Sequence, residues 1–177
     1  MIEFLKGTLA EKTPTHVSID CNGVGYLVNI SLTTYSKLPE NGAIKLLTHL
    51  SIKEDAHTLF GFAEESERRL FRYLISVNGI GPNTARMMLS SILPEELQGA
   101  ILSGNIALLT KIKGVGAKTA QRLIIELKDK LVKGDHSTQI LPVANNTSRE
   151  EALSALLTLS FARNSIEKVL DQITRNN

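Results

Sequence analysis

Several residue types that mark common protein classes are scarce or absent in this chain. Its 177 residues include no tryptophan, one cysteine (Cys21) and only 5% aromatic residues. A single cysteine excludes an intramolecular disulfide and a cysteine-based zinc site. No apolar run reaches the roughly 20 residues of a membrane-spanning helix, and the N-terminus lacks the basic and apolar regions of a secretory signal. We therefore expect a cytoplasmic protein with no cofactor, no metal and no membrane contact.

Net charge is also small, but its distribution along the chain is uneven. Twenty basic and 18 acidic residues give a formal charge of +2. Residues 1–63 contain five Lys or Arg against six Asp or Glu, whereas residues 64–132 contain ten against seven. The basic excess in the middle of the chain favours a polyanionic partner there, although charge alone identifies none.

The first sixty residues have the pattern of short β-strands. Alternating polar and apolar residues predict a strand over His16–Cys21, and a second strand, Val24–Ile30, follows the turn pair Asn22-Gly23. Further strands are predicted over residues 2–10, 43–50 and 57–62. Five short strands of this length favour the OB-fold, which is the commonest small five-stranded barrel.

After residue 63 the apolar spacing becomes helical. Helices are predicted over residues 66–77, 83–93, 106–112 and 119–132, with a further one starting at Pro94. Residues 133–147 are polar without a sustained period, which is typical of a flexible linker. Ser148 and Glu151 form a capping box for another helix, and a last helix is predicted from Ser165.

The fold class is therefore α+β. We expect an OB-fold domain over residues 1–63, a helical domain over 64–132, a linker over 133–147 and a small helical domain over 148–177. Two short helices are few for a domain that stands alone.

An internal repeat with an offset of 35 residues is the most informative feature of the middle domain. Asn78-Gly79-Ile80-Gly81 matches Lys113-Gly114-Val115-Gly116, and each copy lies between two helical patterns. Such a repeat indicates a duplicated supersecondary unit. Glycines let a ligand approach the backbone closely, and the helix that follows offers free N–H groups to a phosphate. A single Gly-x-Gly turn is usually only a tight corner, but two copies in register favour phosphate binding.

The second copy carries additional positive charge. Lys118 and Arg122 lie four residues apart and can add charge-assisted contacts that touch no base and are therefore independent of sequence. A dinucleotide fingerprint is excluded because Thr84 and Thr119 replace its third glycine, and a Walker A loop is excluded because the adjacent Gly-Lys pair is missing.

The motifs, taken in order, resemble the RuvA family of bacterial Holliday junction-binding subunits. These motifs are Gly23-Val24-Gly25-Tyr26, the segment from Lys53 to Phe62, and the two Gly-x-Gly turns. The resemblance is dense over residues 1–132 and looser over 148–177. It implies an OB-fold, a tandem helix-hairpin-helix domain and a small UBA-like helical domain.

The resemblance also implies roles for individual residues. Duplex phosphates would be bound by the hairpins and their neighbours, namely Gly79, Ile80, Gly81, Arg86, Gly114, Val115, Gly116, Lys118, Thr119 and Arg122. Glu54 and Asp55 would form an acidic turn at the centre of a tetramer. There they would repel strands weakly and favour a four-way centre over a continuous duplex.

The family implies a non-catalytic subunit of an ATP-dependent DNA helicase complex. A homotetramer, or two of them, would hold the junction open and square during branch migration in recombination, DNA repair and the SOS response to DNA damage. The hexameric RuvB ATPase would be the motor, and the RuvC resolvase a further partner. Candidates for the RuvB contact are Leu156, Leu157, Leu159 and Phe161, which could equally form the core of their own domain.

The sequence departs from the family pattern at two places. The chain ends at Asn177, where the family usually has a third helix, so recruitment of the motor stays open. Asn83 stands where a basic residue is often found, and Arg86 on the next turn is a candidate to compensate.

Two other functions fit parts of the sequence. Tandem hairpins also anchor nucleases and other repair enzymes on DNA, but Glu54-Asp55 is a weak metal site and the four histidines are scattered. An OB-fold can instead bind single strands, with Tyr26, Phe60 and Phe62 stacking on bases. The net negative charge of the first domain disfavours that function.

Overall fold

The fold is seen in a computed structural model, which describes residues 1–135, 152–153, 156–157 and 165–169. The chain forms two compact units, residues 1–136 and 137–177. In the second unit every described residue is helical, and Ile166 is buried there. The first unit contains both the β-strands and the repeat.

Five strands close into a barrel in the order β1-β2-β3-β5-β4. They are β1 (Phe4–Lys12), β2 (His16–Cys21), β3 (Val24–Ile30), β4 (Gly42–Ile52) and β5 (His57–Phe62). Neighbouring strands are antiparallel except β3 and β5, which are parallel. Alternate residues such as Val17, Ile19 and Leu46 fill the interior, as expected when successive side chains point to opposite faces. The predicted OB-fold is confirmed.

A short helix that the sequence did not predict joins β3 to β4. This helix, α1 (Leu32–Lys37), begins at Ser31, whose hydroxyl accepts a hydrogen bond of 3.0 Å from the Thr34 amide. Its run of Leu-Thr-Thr-Tyr has weak helix propensity because β-branched and aromatic side chains lose freedom in a helix. The cap and tertiary contacts therefore stabilise α1 more than its own sequence does.

Five further helices follow the barrel. They are α2 (Glu65–Ile75), α3 (Pro82–Ser91), α4 (Pro94–Ser103), α5 (Ile106–Leu109) and α6 (Ala117–Asp135). Proline begins α3 and α4, where its missing N–H costs nothing, and Gly104 ends α4 in the left-handed conformation. The helices predicted between residues 66 and 132 are thus present, with α6 starting two residues earlier than expected.

Two strand residues of the barrel belong to the hydrophobic core of the helices, whereas the barrel interior forms a core of its own. Phe60 and Phe62 of β5 pack against Phe71 of α2, with ring centroids 5.2 and 4.9 Å apart. All three side chains are at most 2% exposed. Phe60 and Phe62 therefore cannot stack on bases, which removes two of the three aromatic residues that the single-strand hypothesis needs.

Two adjacent charged residues of α2 are buried at the same junction. The Arg68 guanidinium donates to the Glu3 carbonyl at 2.8 Å and the Thr48 carbonyl at 3.4 Å, and it forms an ion pair with the Glu3 carboxylate at 2.7 Å. Arg68 thereby ties α2 to the start of β1 and to β4. Because each donor group meets an acceptor, the buried charge is compensated.

The carboxyl group of Glu67 is held by hydroxyls of the α1 region. Ser31 and Thr34 both donate to it, Thr34 at 2.7 Å, and the Thr34 hydroxyl also accepts from the Ala63 amide at 3.1 Å. Burial raises the pKa of Glu67 above its usual range, against the opposing effect of these hydrogen bonds. A raised pKa in the folded state means that protonation of Glu67 favours folding.

Glu67→Gln should therefore change the pH dependence of stability. The contribution of Glu67 is fully present below the pKa of an unfolded glutamate and is lost as pH rises through the raised folded pKa. The variant lacks this loss, so its free energy of unfolding should improve relative to the parent as pH rises from 4 to 7. Urea unfolding of both proteins across that range measures the difference, and a difference that does not vary with pH would contradict the expectation.

Candidate nucleic-acid interface

The two copies of the repeat adopt the same backbone geometry. In the first copy, hydrogen bonds run from the Val77 amide to the Leu74 carbonyl and from the Ile80 amide to the Val77 carbonyl, both at 3.1 Å. Their counterparts 35 residues later run from Ile112 to Leu109 at 3.2 Å and from Val115 to Ile112 at 3.0 Å. The repeat seen in the sequence is therefore a structural duplication, with a hairpin turn between α2 and α3 and another between α5 and α6.

The two glycines of each hairpin have different roles. The first, Gly79 or Gly114, has φ of +93° or +90°, a conformation that other residues adopt only with strain. The second, Gly81 or Gly116, has no positive φ, and a Cβ built on either would meet nothing within 4 Å. The first glycine thus shapes the turn, whereas the second leaves open space above the backbone.

The residue between the glycines anchors the hairpin and does not face solvent. Ile80 is 5% exposed and Val115 is 4% exposed, and both side chains belong to the helical core. Their amide groups are used inside the turn. The side chains of Ile80 and Val115 hold the hairpins on the core, and the expectation that these residues bind DNA stays a prediction.

Each hairpin leads directly into the N-terminus of a helix. Helix α3 starts after Gly81, which has no side chain to cap it, so the first amide groups of α3 have no side-chain acceptor. Helix α6 starts in the same way after Gly116, and its first helical bond, from Ala120 to Gly116, is 2.9 Å long. Two helix ends with partial positive charge are therefore available to anions.

The two hairpins lie side by side. The Arg122 guanidinium of α6 donates to the Asn78 carbonyl of the first hairpin at 3.4 Å, and a Cβ on Gly114 would lie 3.9 Å from the Thr84 side chain. Lys118 is fully on the surface, and Thr119 is partly exposed. The arrangement brings the four glycines, Lys118, Thr119 and Arg122 together into one surface, which we call the hairpin surface.

Arg86 does not belong to the hairpin surface. One nitrogen of its guanidinium, Nη1, donates to the Thr15 carbonyl at 2.9 Å and the Ile30 carbonyl at 3.3 Å, both in the barrel. These contacts hold the Arg86 guanidinium against the barrel, and its compensation for Asn83 as a phosphate ligand stays a prediction. Its side chain is half-buried against the barrel instead of extended toward solvent.

The acidic residues Glu54 and Asp55 lie at the tip of the β4–β5 hairpin. The Lys53 amide donates to the Ala56 carbonyl at 2.9 Å, which closes a four-residue turn with both carboxylates exposed. We call this segment, Lys53–Ala56, the acidic turn. It lies between β4 and β5, and its place at the centre of a tetramer stays a prediction.

A cleft of about 130 Å³ connects the acidic turn to the first hairpin. It is lined by Ser51, Lys53, Asp55, Ala56, Thr58, Phe60, Pro82 and Asn83. The sequence did not single out Lys53 or Pro82 as candidate site residues, and the structure places both in one cleft with Asp55 and Asn83. The Gly-Pro step that starts α3 was a visible clue, because it fixes where the helix end lies.

The remaining candidates are distributed over the second unit. Leu156 is partly buried, and Leu157 is 41% exposed. Leu159 and Phe161 lie outside the residues that the structure describes. Across the described ranges, no group of three or more His, Cys, Asp or Glu residues could hold a metal ion, and no helix is long and apolar enough to span a membrane.

Known proteins are similar to this chain over nearly all its length. A family model described as the RuvA N-terminal domain matches residues 1–61, and one described as a SAM-like helix-hairpin-helix tandem matches residues 71–129. Three curated relatives carry the name Holliday junction branch migration complex subunit RuvA. The relative from Christiangramia forsetii is 53% identical to this chain, and the match covers 99% of this chain and 91% of the relative. The relative from Flavobacterium psychrophilum is 56% identical, with 98% and 90% covered, and that from Pelobacter propionicus is 42% identical, with 96% and 88% covered.

These matches agree with the geometry. One family model covers the closed barrel, the other covers both hairpins, and the relatives extend through the second unit. With relatives 53% and 56% identical over 99% and 98% of its length, the chain belongs to the RuvA family.

Proposed function

We propose that this protein binds four-way DNA junctions through the phosphate backbone, holds them open, and acts as the non-catalytic subunit of a branch-migration complex. The main support for this proposal is that the hairpin surface and the acidic turn lie on one compact unit, where a cleft joins them. A duplex anchor alone would need the hairpins but not a carboxylate pair beside them. The relatives' name gives the same assignment independently.

The hairpin surface suits phosphates and not bases. Its donors are backbone amides at two helix starts, with Lys118 and Arg122 nearby. Such groups neutralise phosphates without contacting base edges, so binding should be independent of sequence and sensitive to salt. Two adjacent hairpins can contact phosphates along one duplex arm.

The acidic turn would make the protein favour a four-way junction over a continuous duplex. Glu54 and Asp55 are exposed, and at about 7 Å from a phosphate each unit charge is repelled by about 0.6 kcal/mol in water. Repulsion of this size weakens binding slightly wherever the phosphates come close. A continuous duplex would place phosphates beside the turn, whereas an open centre leaves room for it.

A cyclic tetramer would match the four arms of a junction, one hairpin surface for each arm. The acidic turns of all four copies would then meet at the centre. In this arrangement the hexameric RuvB ATPase would pump the arms, with the second unit as its docking site, and the RuvC resolvase would act on the exposed junction. We place the protein in recombination and DNA repair on the same grounds.

Gly81→Ala combined with Gly116→Ala tests the phosphate contact without disturbing the turns. Both positions accept a Cβ, so the melting temperature should change little. The added methyl groups occupy the open space that a phosphate needs, and affinity for junction and duplex should both fall about tenfold or more, by the loss of about 1.4 kcal/mol. Fluorescence anisotropy with labelled DNA at two salt concentrations measures this.

Two matched controls accompany that variant. Gly99→Ala, in the middle of α4, adds the same group outside the hairpins and should leave affinity unchanged. Gly79→Ala with Gly114→Ala should instead destabilise the fold, at about 1 kcal/mol or more for each strained residue. Unchanged DNA affinity in the Gly81/Gly116 variant would rule out the hairpin surface as the phosphate site.

Glu54→Gln with Asp55→Asn tests the acidic turn. Affinity for linear duplex should rise more than affinity for the junction, since the repulsion that opposes a continuous duplex is removed. The ratio of junction to duplex affinity should therefore fall severalfold. Glu95→Gln with Glu96→Gln makes the same change in net charge on the exposed first turn of α4, and an equal change of ratio there would point to net charge alone.

Leu157→Asp tests the second unit as the docking site for the motor. The side chain is 41% exposed, and a charge there should weaken an apolar contact by about 1–3 kcal/mol. Junction binding should be unchanged, while co-sedimentation with the RuvB ATPase and junction-stimulated branch migration should both decrease. Full branch migration by the variant would remove Leu157 from the docking surface.

A further inference from the structure

We propose that Arg86 is a positioning residue that fixes the first hairpin relative to the acidic turn and thereby sets the preference for junctions over duplex. This inference rests on the proposed function. In this inference Arg86 belongs neither to the phosphate site nor to the acidic turn. It forms the contact between α3 and the barrel that fixes the distance and orientation between the two.

Arg86 connects α3 to the barrel at the point where two strand ends meet. Its Nη1 donates to the Thr15 carbonyl, which also accepts the Ile30 amide at 3.0 Å, and to the Ile30 carbonyl. Ile30 ends β3, which pairs with β5, the strand that follows the acidic turn. Ile30 pairs with Gly61, five residues beyond Ala56 at the end of the acidic turn, so the strand that leaves the acidic turn leads along β5 to the Arg86 contact.

On its own helix, Arg86 is close to the first hairpin. It lies four residues after Pro82, and one helical turn of about 5.4 Å separates these positions. Pro82 and Asn83 line the cleft opposite Asp55. A shift of α3 against the barrel would therefore move the hairpin amides relative to the acidic carboxylates.

The rest of α3 contacts the barrel side through neutral hydrogen bonds. The Leu32 amide donates to the Ser90 hydroxyl at 3.1 Å, and the Thr33 hydroxyl donates to the Leu89 carbonyl at 2.7 Å. Both contacts lie at the C-terminal end of α3. Of these three contacts, that of Arg86 is nearest the hairpin end, so it restrains the start of α3 against the barrel, while Ile80 anchors the hairpin in the core.

The chemistry of Arg86 is not that of a contact selected for stability. Its Nε is buried and has no hydrogen-bond partner among the residues that the structure describes. Leaving a buried donor unpaired is unfavourable, and local rules are broken most often at functional positions. A single nitrogen at the end of the planar guanidinium reaches both acceptors, and a lysine ammonium, a point charge on a flexible stem, does not hold the same geometry.

Arg86→Met and Arg86→Lys, made in the full chain, test this proposal. Anisotropy titrations would use a four-way junction and a linear duplex of equal length at several salt concentrations, with melting temperatures measured by circular dichroism. Lys128→Met, which removes one exposed positive charge from α6, is the matched control.

The ratio of junction to duplex affinity should fall about fivefold or more in both Arg86 variants. Duplex affinity and its salt dependence should match those of Lys128→Met in Arg86→Met, and those of the unsubstituted protein in Arg86→Lys. Arg86→Lys keeps the charge and the methylene packing, so it remains informative if Arg86→Met does not fold.

Three results would overturn the inference. A lower affinity for both DNAs with a reduced salt slope would make Arg86 a phosphate ligand. A lower melting temperature with an unchanged ratio would make it a structural contact only. Equal affinity of the unsubstituted protein for junction and duplex would overturn the proposed function itself, and that result needs no variant.

Discussion

Glu67 and Arg68 of α2 are buried where the barrel meets the helices, and the rest of the structure depends on how these two charges are satisfied. Arg68 needs the carbonyls of Glu3 and Thr48, and Glu67 needs the hydroxyls of Ser31 and Thr34. The carbonyls are supplied by the barrel, just before β1 and in β4, and the hydroxyls by the α1 region that joins β3 to β4. Because a buried charge without partners is strongly destabilising, α2 has one position on the barrel. The acidic turn and both hairpins are consequently held in one compact unit.

In each copy of the hairpin, different residues shape the turn and keep the helix end accessible to a ligand. The first glycine of each copy makes the turn possible, the branched residue that follows anchors it, and the second glycine leaves the helix end open. A ligand that approaches such a surface meets backbone amides and no bulky side chain. Binding of this kind is insensitive to base sequence, as it must be in a protein that follows a moving junction.

Much of this could be predicted from the sequence, because strand alternation, helical spacing and the 35-residue repeat are local patterns. What could not be predicted depends on distant contacts. Helix α1 has weak intrinsic propensity and is stabilised by its cap and neighbours, and Arg86 carries a charge that suggested a phosphate contact until its acceptors in the barrel were seen. Likewise, a Gly-x-Gly motif gives no indication that its middle residue faces the core.

The geometry explains why acidic and basic residues are distributed unevenly between the barrel and the helices. Residues 1–63, which carry the acidic turn, have a small excess of acid, whereas residues 64–132, which carry the hairpins, have a small excess of base. A uniformly basic protein would bind every duplex tightly, and the difference in affinity that defines specificity would be small. In the proposed function, moderate attraction at two helix ends, opposed by two carboxylates across a cleft, would lower total affinity for DNA but increase the dependence of that affinity on DNA shape. The protein's near-neutral net charge is therefore consistent with recognition of a structure and not of a polyanion in general.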